Sequence, residues 1–388
     1  MNILAHIIRA YQNKLRNKLS GVVYLPARGK KQGDVLVSYL TRPFTLAPWE
    51  HMTDPHTNYW ECAEIARLFF ERGYDVDIIN WNDVHFVPKK PYKAIVDTHQ
   101  NIARLAPLLP ANCKKVIHIT FSLRQNDAEK ERLQSLLNRR GVTIAPTRTE
   151  VISNNLAYAD FLEGFGNSTV HRSYATFQKP IYHIPISVAV TFPFPEKKDL
   201  AQARTHFLFF GGGGAILKGL DLIIEAFADL PELHLHIIGP AVYEPEFEKI
   251  YAREVALPNI HRYHRPRINS RGVMTVDGVP FIDIANQCAT MIYPSASEGT
   301  SGAVVQVMHT GVIPIVTPET GLADNAPVRI IKAPTVESIQ RVALEIAHTD
   351  PTILKKEAFG VWNYANTHHT KETFRKAYAR FIDDILEL

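Results

Sequence analysis

The chain has 388 residues, enough for two domains of ordinary size. Apolar residues make up 46% and charged residues 21%, and no apolar run reaches the length a membrane span needs, so wholesale disorder and a transmembrane anchor are excluded. No signal-peptide pattern opens the chain. Its three cysteines, Cys62, Cys113 and Cys288, are scattered and odd in number, which fits a reducing cytoplasm better than a disulfide framework or zinc knuckle. A formal charge of +4 is too small to argue for a nucleic-acid partner.

That charge is uneven. Residues 1–33 carry seven Lys or Arg and no acid, leaving 36 basic against 39 acidic residues in the rest. Ile3, Leu4, Ile7, Ile8, Tyr11, Leu15 and Leu19 recur at helical spacing, so the leader reads as a basic amphipathic helix. Such a helix lies either on an anionic membrane at the inner face or on the protein's own first domain. Asp34–Leu40 then reads as a buried strand, Asn58–Arg72 as a helix stopped by Gly73, and Tyr74–Ile79 as a second strand, which makes a βαβ unit and implies a parallel sheet. Further strands are expected at Ala94–Asp97, Val116–Thr120 and Val142–Ala145, with a helix over Glu129–Arg139. Residues 34–188 thus form one α/β domain.

Pro180, Pro185, Pro193 and Pro195 punctuate the chain, and residues 189–203 read as a linker. A second series occupies 204–370. It comprises strand His206–Phe210, helix Leu220–Asp229, strand His234–Ile238, a helix near Glu246–Glu254, strand Thr290–Tyr293, helix Ala303–His309, strand Ile313–Thr317 and helix Val336–His348. Residues 371–388 close the chain as an amphipathic helix. The class is α/β, with two Rossmann-like doubly wound domains facing across a cleft where the C-terminal ends of both sheets meet.

Two motifs in the second domain carry chemistry. Strand Phe207–Phe210 runs into Gly211, Gly212, Gly213 and Gly214, and Lys218 stands at the mouth of the next helix. Glycines admit close approach of a ligand to backbone amides, and the helix end and the lysine add positive charge, which together suit a diphosphate. Lys218 is followed by Gly219 rather than Ser or Thr, so this is not a Walker loop, and Ile216 stands where a dinucleotide fingerprint needs its third glycine. A flexible loop with a solvated lysine is the plainer alternative. After strand Thr290–Tyr293, the small-residue loop Pro294–Ser301 carries Glu298, and Gln306 follows eight residues later inside a helix. Ser301, Gly302 and Ala303 can turn amides to a phosphate, while Glu298 and Gln306 can bond sugar hydroxyls.

The segment FLFFGGGGAILKGLDLIIEAF and the segment PSASEGTSGAVVQVMHTGVIPIVTPETGL resemble the donor domain of retaining GT-B glycosyltransferases of family 4 (glycosyl transferases group 1), over roughly residues 206–325. The first domain matches only in layout. The resemblance implies a nucleotide-diphosphate sugar as co-substrate, with no cofactor and no metal. It assigns Lys218 to the diphosphate, Glu298 to the transferred sugar, Gln306 to the ribose, and Glu319 beside Gly321 to the donor-facing loop. Three departures stand out. Gln306 replaces the family's second Glu; positions 212–214 lack its Arg, leaving Arg265 or Arg267 to help Lys218; and Ser122 occupies the place of a His that faces the reacting sugar, with His118 and His99 nearby.

His51, Asp54, His56, Thr57 and Asn58 form a polar cluster between strand and helix of the first domain, a natural acceptor site together with His99. His51, Asp54 and His56 do not show a compact zinc spacing. The expected activity is therefore sugar transfer to a glycan, lipid-linked or other hydroxyl acceptor. Alternatives are a nucleotide-sugar epimerase or phosphorylase on the same fold, or a nucleotide-sugar-binding protein without activity.

Overall fold

The computed structural model describes residues 21–27, 29–46, 52–149 and 153–387. Residues 1–20, which hold the apolar face of the expected leader helix, lie outside this set, as does His51. The part of the leader that is described is no helix. Val23–Leu25 forms strand β1 and pairs antiparallel with residues 76–78.

Seven strands build the first sheet: β1, β2 (Gly33–Tyr39), β3 (Tyr74–Asn80), β4 (Ala94–Asp97), β5 (Lys114–Ile119), β6 (Phe161–Gly164) and β7 (Ile181–His183), in the order β1-β3-β2-β4-β5-β6-β7. All pairs but the first are parallel. Short β-branched runs bury completely between flanking helices, as Val35, Leu36, Val37, Val76 and Ile78 do. Helix α1 (Thr57–Glu71) buries Ile65, Leu68 and Phe69, and helix α2 (Gln125–Arg140) ends at Gly141 in the left-handed region. Val142–Ala145, expected as a strand, joins no ladder; the Ala145 amide instead donates to Glu246 at 3.2 Å.

Six parallel strands build the second sheet in the order β10-β9-β8-β14-β15-β16: β8 (His206–Phe210), β9 (His234–Ile238), β10 (Ile260–Tyr263), β14 (Thr290–Tyr293), β15 (Ile313–Val316) and β16 (Arg329–Ile330). Between β10 and β14 a small antiparallel sheet holds β11 (Arg267–Ile268), β12 (Met274–Val276) and β13 (Val279–Pro280). The helix expected near Glu246–Glu254 is broken into Pro245–Ile250 and a 3-10 turn at Glu254–Ala256. Helices α3 (Leu220–Ala228), α4 (Gly302–Met308), α5 (Val336–His348), α6 (Pro351–His368) and α7 (Lys371–Leu386) complete the elements needed below. Strand order reverses between β8 and β14, and in the first sheet between β2 and β4, so each sheet has a crevice at its strand C-termini.

One apolar core runs through both sheets and the chain between them, where Ile184, Ile186 and Val188 are buried. The connection is tied down along its length. Glu61 accepts the Ser187 amide at 3.0 Å and its hydroxyl at 2.9 Å, and the Trp362 indole donates to Phe192 O at 2.8 Å. Helix α7 packs back on the first sheet's side. Arg72 pairs with Asp383 at 2.5 Å, Arg375 bridges Glu64 and Glu71, and Tyr378 donates to Glu163 at 3.0 Å.

Candidate donor site

The crevice between β8 and β14 gathers the two motifs. Lys218 lies in the turn before α3, buried, with its Nζ 2.7 Å from Glu298 Oε1. That oxygen also accepts the Tyr293 hydroxyl at 2.8 Å and the Ser295 hydroxyl at 3.3 Å. Burial opposes ionisation of Glu298, but the charge of Lys218 and these hydrogen bonds hold its carboxyl below the usual carboxylate range. Glu298 is therefore an ionised acceptor rather than an acid. Tyr293, at the end of β14, was not singled out by the motif, although its place as the last strand residue before the loop is where strand-end chemistry concentrates.

Gly212 and Gly213 are exposed, and Gly214 adopts a φ of +92°, which admits glycine far more readily than other residues. The amides of Gly214 and Ala215 do bind an anion here, the carboxylate of Glu244, at 2.5 and 3.2 Å. This acid follows the 3-10 turn Pro240–Tyr243 after β9, too far along the chain to belong to the motif.

The second motif is more inward-looking than its spacing implies. The Ser301 amide donates to Thr320 O at 3.1 Å and the Glu298 amide to Glu319 O at 2.9 Å, so the Ser301 amide is spent on the loop after β15 rather than turned to a phosphate. Gly302 starts α4 against Ile186 and Thr57. Gln306, expected at the ribose, is buried and its side-chain amide is committed: Oε1 accepts the Val190 amide at 3.1 Å and Nε2 donates to Val190 O at 2.6 Å. Glu319 sits half-buried in the turn Pro318–Thr320, near enough to Arg132 for their charges to interact.

Residues of the first domain close over this crevice. A Cβ at Gly299 would stand 2.5 Å from Thr120 O, so the end of β5 touches the residue after Glu298. Gly166 N donates to the Thr300 hydroxyl at 3.0 Å, Asn167 Nδ2 to Pro318 O at 2.9 Å, and Arg132 to Pro294 O at 2.7 Å. Ion pairs bolt helix α2 to α3 and to the turn at Glu254–Ala256: Arg139 with Asp221 and Glu225, Arg140 with Glu225 and Glu254. Burial pushes Asp221 up to about 6 against the pull of Arg139 and Arg132.

The remaining expected residues are placed as follows. Ser122 is buried, and its hydroxyl accepts the Arg124 amide at 3.3 Å in the turn that opens α2. His118 is buried with Nδ1 2.9 and 3.0 Å from the two Glu163 oxygens, which raise its pKa over the opposing effect of burial. His118 is thus a core ion pair, not a cleft residue. His56 caps α1, accepting the Asn58 amide at 3.4 Å; desolvation lowers its pKa, with Asp54 opposing. Asp54 pairs with Arg265 across the cleft, and Thr53 O accepts the Ile268 amide at 2.8 Å. Arg265 is thereby committed away from the glycine loop, and Arg267 lies exposed on β11. The ring of His99 lies between Trp81 and Phe121, with centroids 4.3 and 5.6 Å away, so the C-ends of β3, β4 and β5 carry an aromatic shelf. Among the described residues no cluster of His, Cys, Asp or Glu has the shape of a metal site, and no helix is long and apolar enough to cross a membrane.

No family model and no curated protein matches the chain. Solved structures do. Sucrose-phosphate synthase from Thermosynechococcus elongatus aligns with a TM-score of 0.63 at 11% identity, covering 92% of this chain and all of that one. Anabaena Alr3699/HepE, solved with UDP and glucose, aligns at 0.57 and 11%, covering 91% and 100%. WaaG, a glycosyltransferase involved in lipopolysaccharide biosynthesis, aligns at 0.54 and 14%, covering 90% and 99%. Against TarM, at a TM-score of 0.53 and 11% identity, the chain spans 56% of the other protein. At such identities the likeness shows the fold: two Rossmann-like α/β domains across a cleft, as in GT-B glycosyltransferases.

Proposed function

We propose that this protein transfers a sugar from a nucleotide-diphosphate sugar to a hydroxyl of a glycan or lipid-linked acceptor, with retention and without a divalent metal. The observation that carries the reading is the Lys218–Glu298 pair, buried at the switch point of the second sheet beside a glycine loop whose amides already hold a carboxylate. Breaking the bond to the leaving diphosphate builds positive charge on the sugar and negative charge on the phosphates. Lys218 and the loop amides then meet more charge in the transition state than in the ground state, which lowers the barrier. Glu298, kept ionised, would accept hydrogen bonds from sugar hydroxyls. The acceptor would enter past His56, Asn58 and His99. Retention and the family 4 kinship rest on the motif resemblance alone.

Incubation with a panel of nucleotide sugars, followed by release of free nucleoside diphosphate, tests the reading. Slow donor hydrolysis with one member of the panel is expected. Neither hydrolysis nor binding across the panel removes it. The reading also places the basic leader on an anionic inner-leaflet surface, giving access to lipid-linked acceptors. Flotation with anionic vesicles should retain the full chain at low salt and release a variant starting at Gly21.

A further inference from the structure

We propose that Arg148, reaching from the first domain onto the glycine loop of the second, supplies the second cation for the donor diphosphate. The inference rests on the donor-site reading above and names a residue that neither motif contains. Arg148 lies in the loop after α2. Its Nη2 is 3.4 Å from Gly213 O, and a Cβ at Gly214 would stand 3.3 Å from that same atom and 3.6 Å from the Thr147 hydroxyl. The bare backbone of the glycine loop is therefore the space into which this guanidinium fits. Gly214 lacks the side chain that its φ disfavours and that would crowd Arg148.

The loop is aimed rather than loose. Glu129, buried on α2, accepts the Thr147 amide at 2.9 Å, the Arg148 amide at 2.7 Å and the Thr147 hydroxyl. One carboxylate thus fixes two successive residues with their side chains facing the second domain. It receives no salt bridge from Arg148 itself. Among the described residues no carboxylate lies within ion-pair distance of the Arg148 guanidinium, which is only half exposed. A guanidinium with no carboxylate in reach is available to an arriving anion.

Charge balance points to the anion. Lys218 is neutralised by Glu298, and Glu244 brings a further negative charge onto the loop amides. Without another cation the cradle would carry a net negative charge and repel a diphosphate. Arg265 is paired with Asp54, and Arg132 is buried against Pro294 O. Arg267 lies exposed on β11, whereas Arg148 contacts the glycine loop itself, and its charge reaches the site and helps lower the pKa of Glu298. A guanidinium presents a planar fork that suits phosphate oxygens, unlike the point charge of a lysine. Because Lys218 and Arg148 belong to different domains, the diphosphate would bridge them and hold the cleft shut.

Calorimetric titration of the full chain with UDP, GDP and ADP, and with the three nucleosides lacking phosphate, tests this. Arg148→Ala should weaken the preferred diphosphate by about 10–100-fold, as loss of a charge-assisted contact does, and leave nucleoside affinity unchanged. Arg148→Lys should recover part of the loss. Among the described residues the one hydrogen bond of this side chain is to Gly213 O, so an unaltered circular dichroism spectrum is expected. Wild-type diphosphate affinity in Arg148→Ala, with affinity lost in Lys218→Ala, overturns the role of Arg148 and spares the donor site. Failure of the wild type to bind any of the three diphosphates overturns both.

Discussion

Acid should loosen the floor of the second sheet, where one histidine has its pKa pushed furthest down. His206 on β8, His234 and His236 on β9 and His261 on β10 stack beside one another, with hydrogen bonds His206–His236 at 3.0 Å, His234–His261 at 3.1 Å and His236–Tyr263 at 3.2 Å. His236 is 2% exposed, and burial, reinforced by its three neighbours, pushes its pKa down to about 3. A depressed imidazole pKa stabilises the fold above its unfolded value near 6.5, and that stability drains as pH falls from there toward 3. Each pH step in that window is worth about 1.4 kcal/mol, so moving from pH 7 to pH 5 should remove about 2 kcal/mol through His236. For a domain of this size that lowers the melting temperature by roughly 4–8 °C. His236→Gln cannot titrate. It should start less stable at pH 7, because Tyr263 and His206 lose their partner, but its melting temperature should fall less steeply with acid. Scanning calorimetry of both proteins at pH 7, 6 and 5 measures the two slopes. Parallel slopes would show that His236 does not charge on unfolding and would refute the reasoning.

Three further outcomes concern the cleft. Lys218→Ala should reduce transfer or donor hydrolysis at least ~100-fold, since one preorganised charge-stabilising group contributes that much; near wild-type turnover in the folded variant removes the donor assignment. Glu244→Gln keeps an oxygen for the Gly214 and Ala215 amides but loses the charge that competes with phosphate, so affinity for inorganic pyrophosphate should tighten about fivefold, the effect of ~1 kcal/mol of repulsion in a wet site. Unchanged or weaker binding by calorimetry would show that Glu244 does not contend for the site. Gln306→Glu, although it matches the pattern the segment resembles, puts a carboxylate against Val190 O and should cost about 1–3 kcal/mol in a urea melt. A melt matching wild type would mean that the Val190 contacts are dispensable.

What could be read from the chain alone was what lies close together along it. The strand, four glycines and lysine of residues 207–218 form one contiguous device, and Glu298 sits on one short loop, so composition and spacing located both. Helix α1 was equally visible, with Gly73 behind it as its stop, although its cap is His56. Other elements carried a signal that went unused. Asp277-Gly278, both at positive φ, is the turn that folds β12 onto β13, and Asp350-Pro351 caps and starts α6. The small sheet brings Arg265 and Ile268 to the loop at Thr53 and Asp54, so overlooking it hid one whole side of the cleft.

Arg148 and Glu244 carry no such signal, because each comes from a loop far along the chain and acquires meaning only where it meets the glycine loop. The same holds for Gln306, where the motif gave the position but not the partner. A glutamate there can only accept. The glutamine both accepts the Val190 amide and donates to the Val190 carbonyl, closing a two-bond clasp between α4 and the chain that joins the domains. An ionised carboxylate would leave that carbonyl buried without a donor and add a charge beside it. Where the segment departs from the pattern it resembles, the residue present is thus the one that suits the interdomain connection. The loss of arginine at 212–214 has the same logic: the backbone stays bare where a cation from the facing domain lies over it. Both departures thus lie where the two domains meet, and each is explained by a partner that sits outside its own motif.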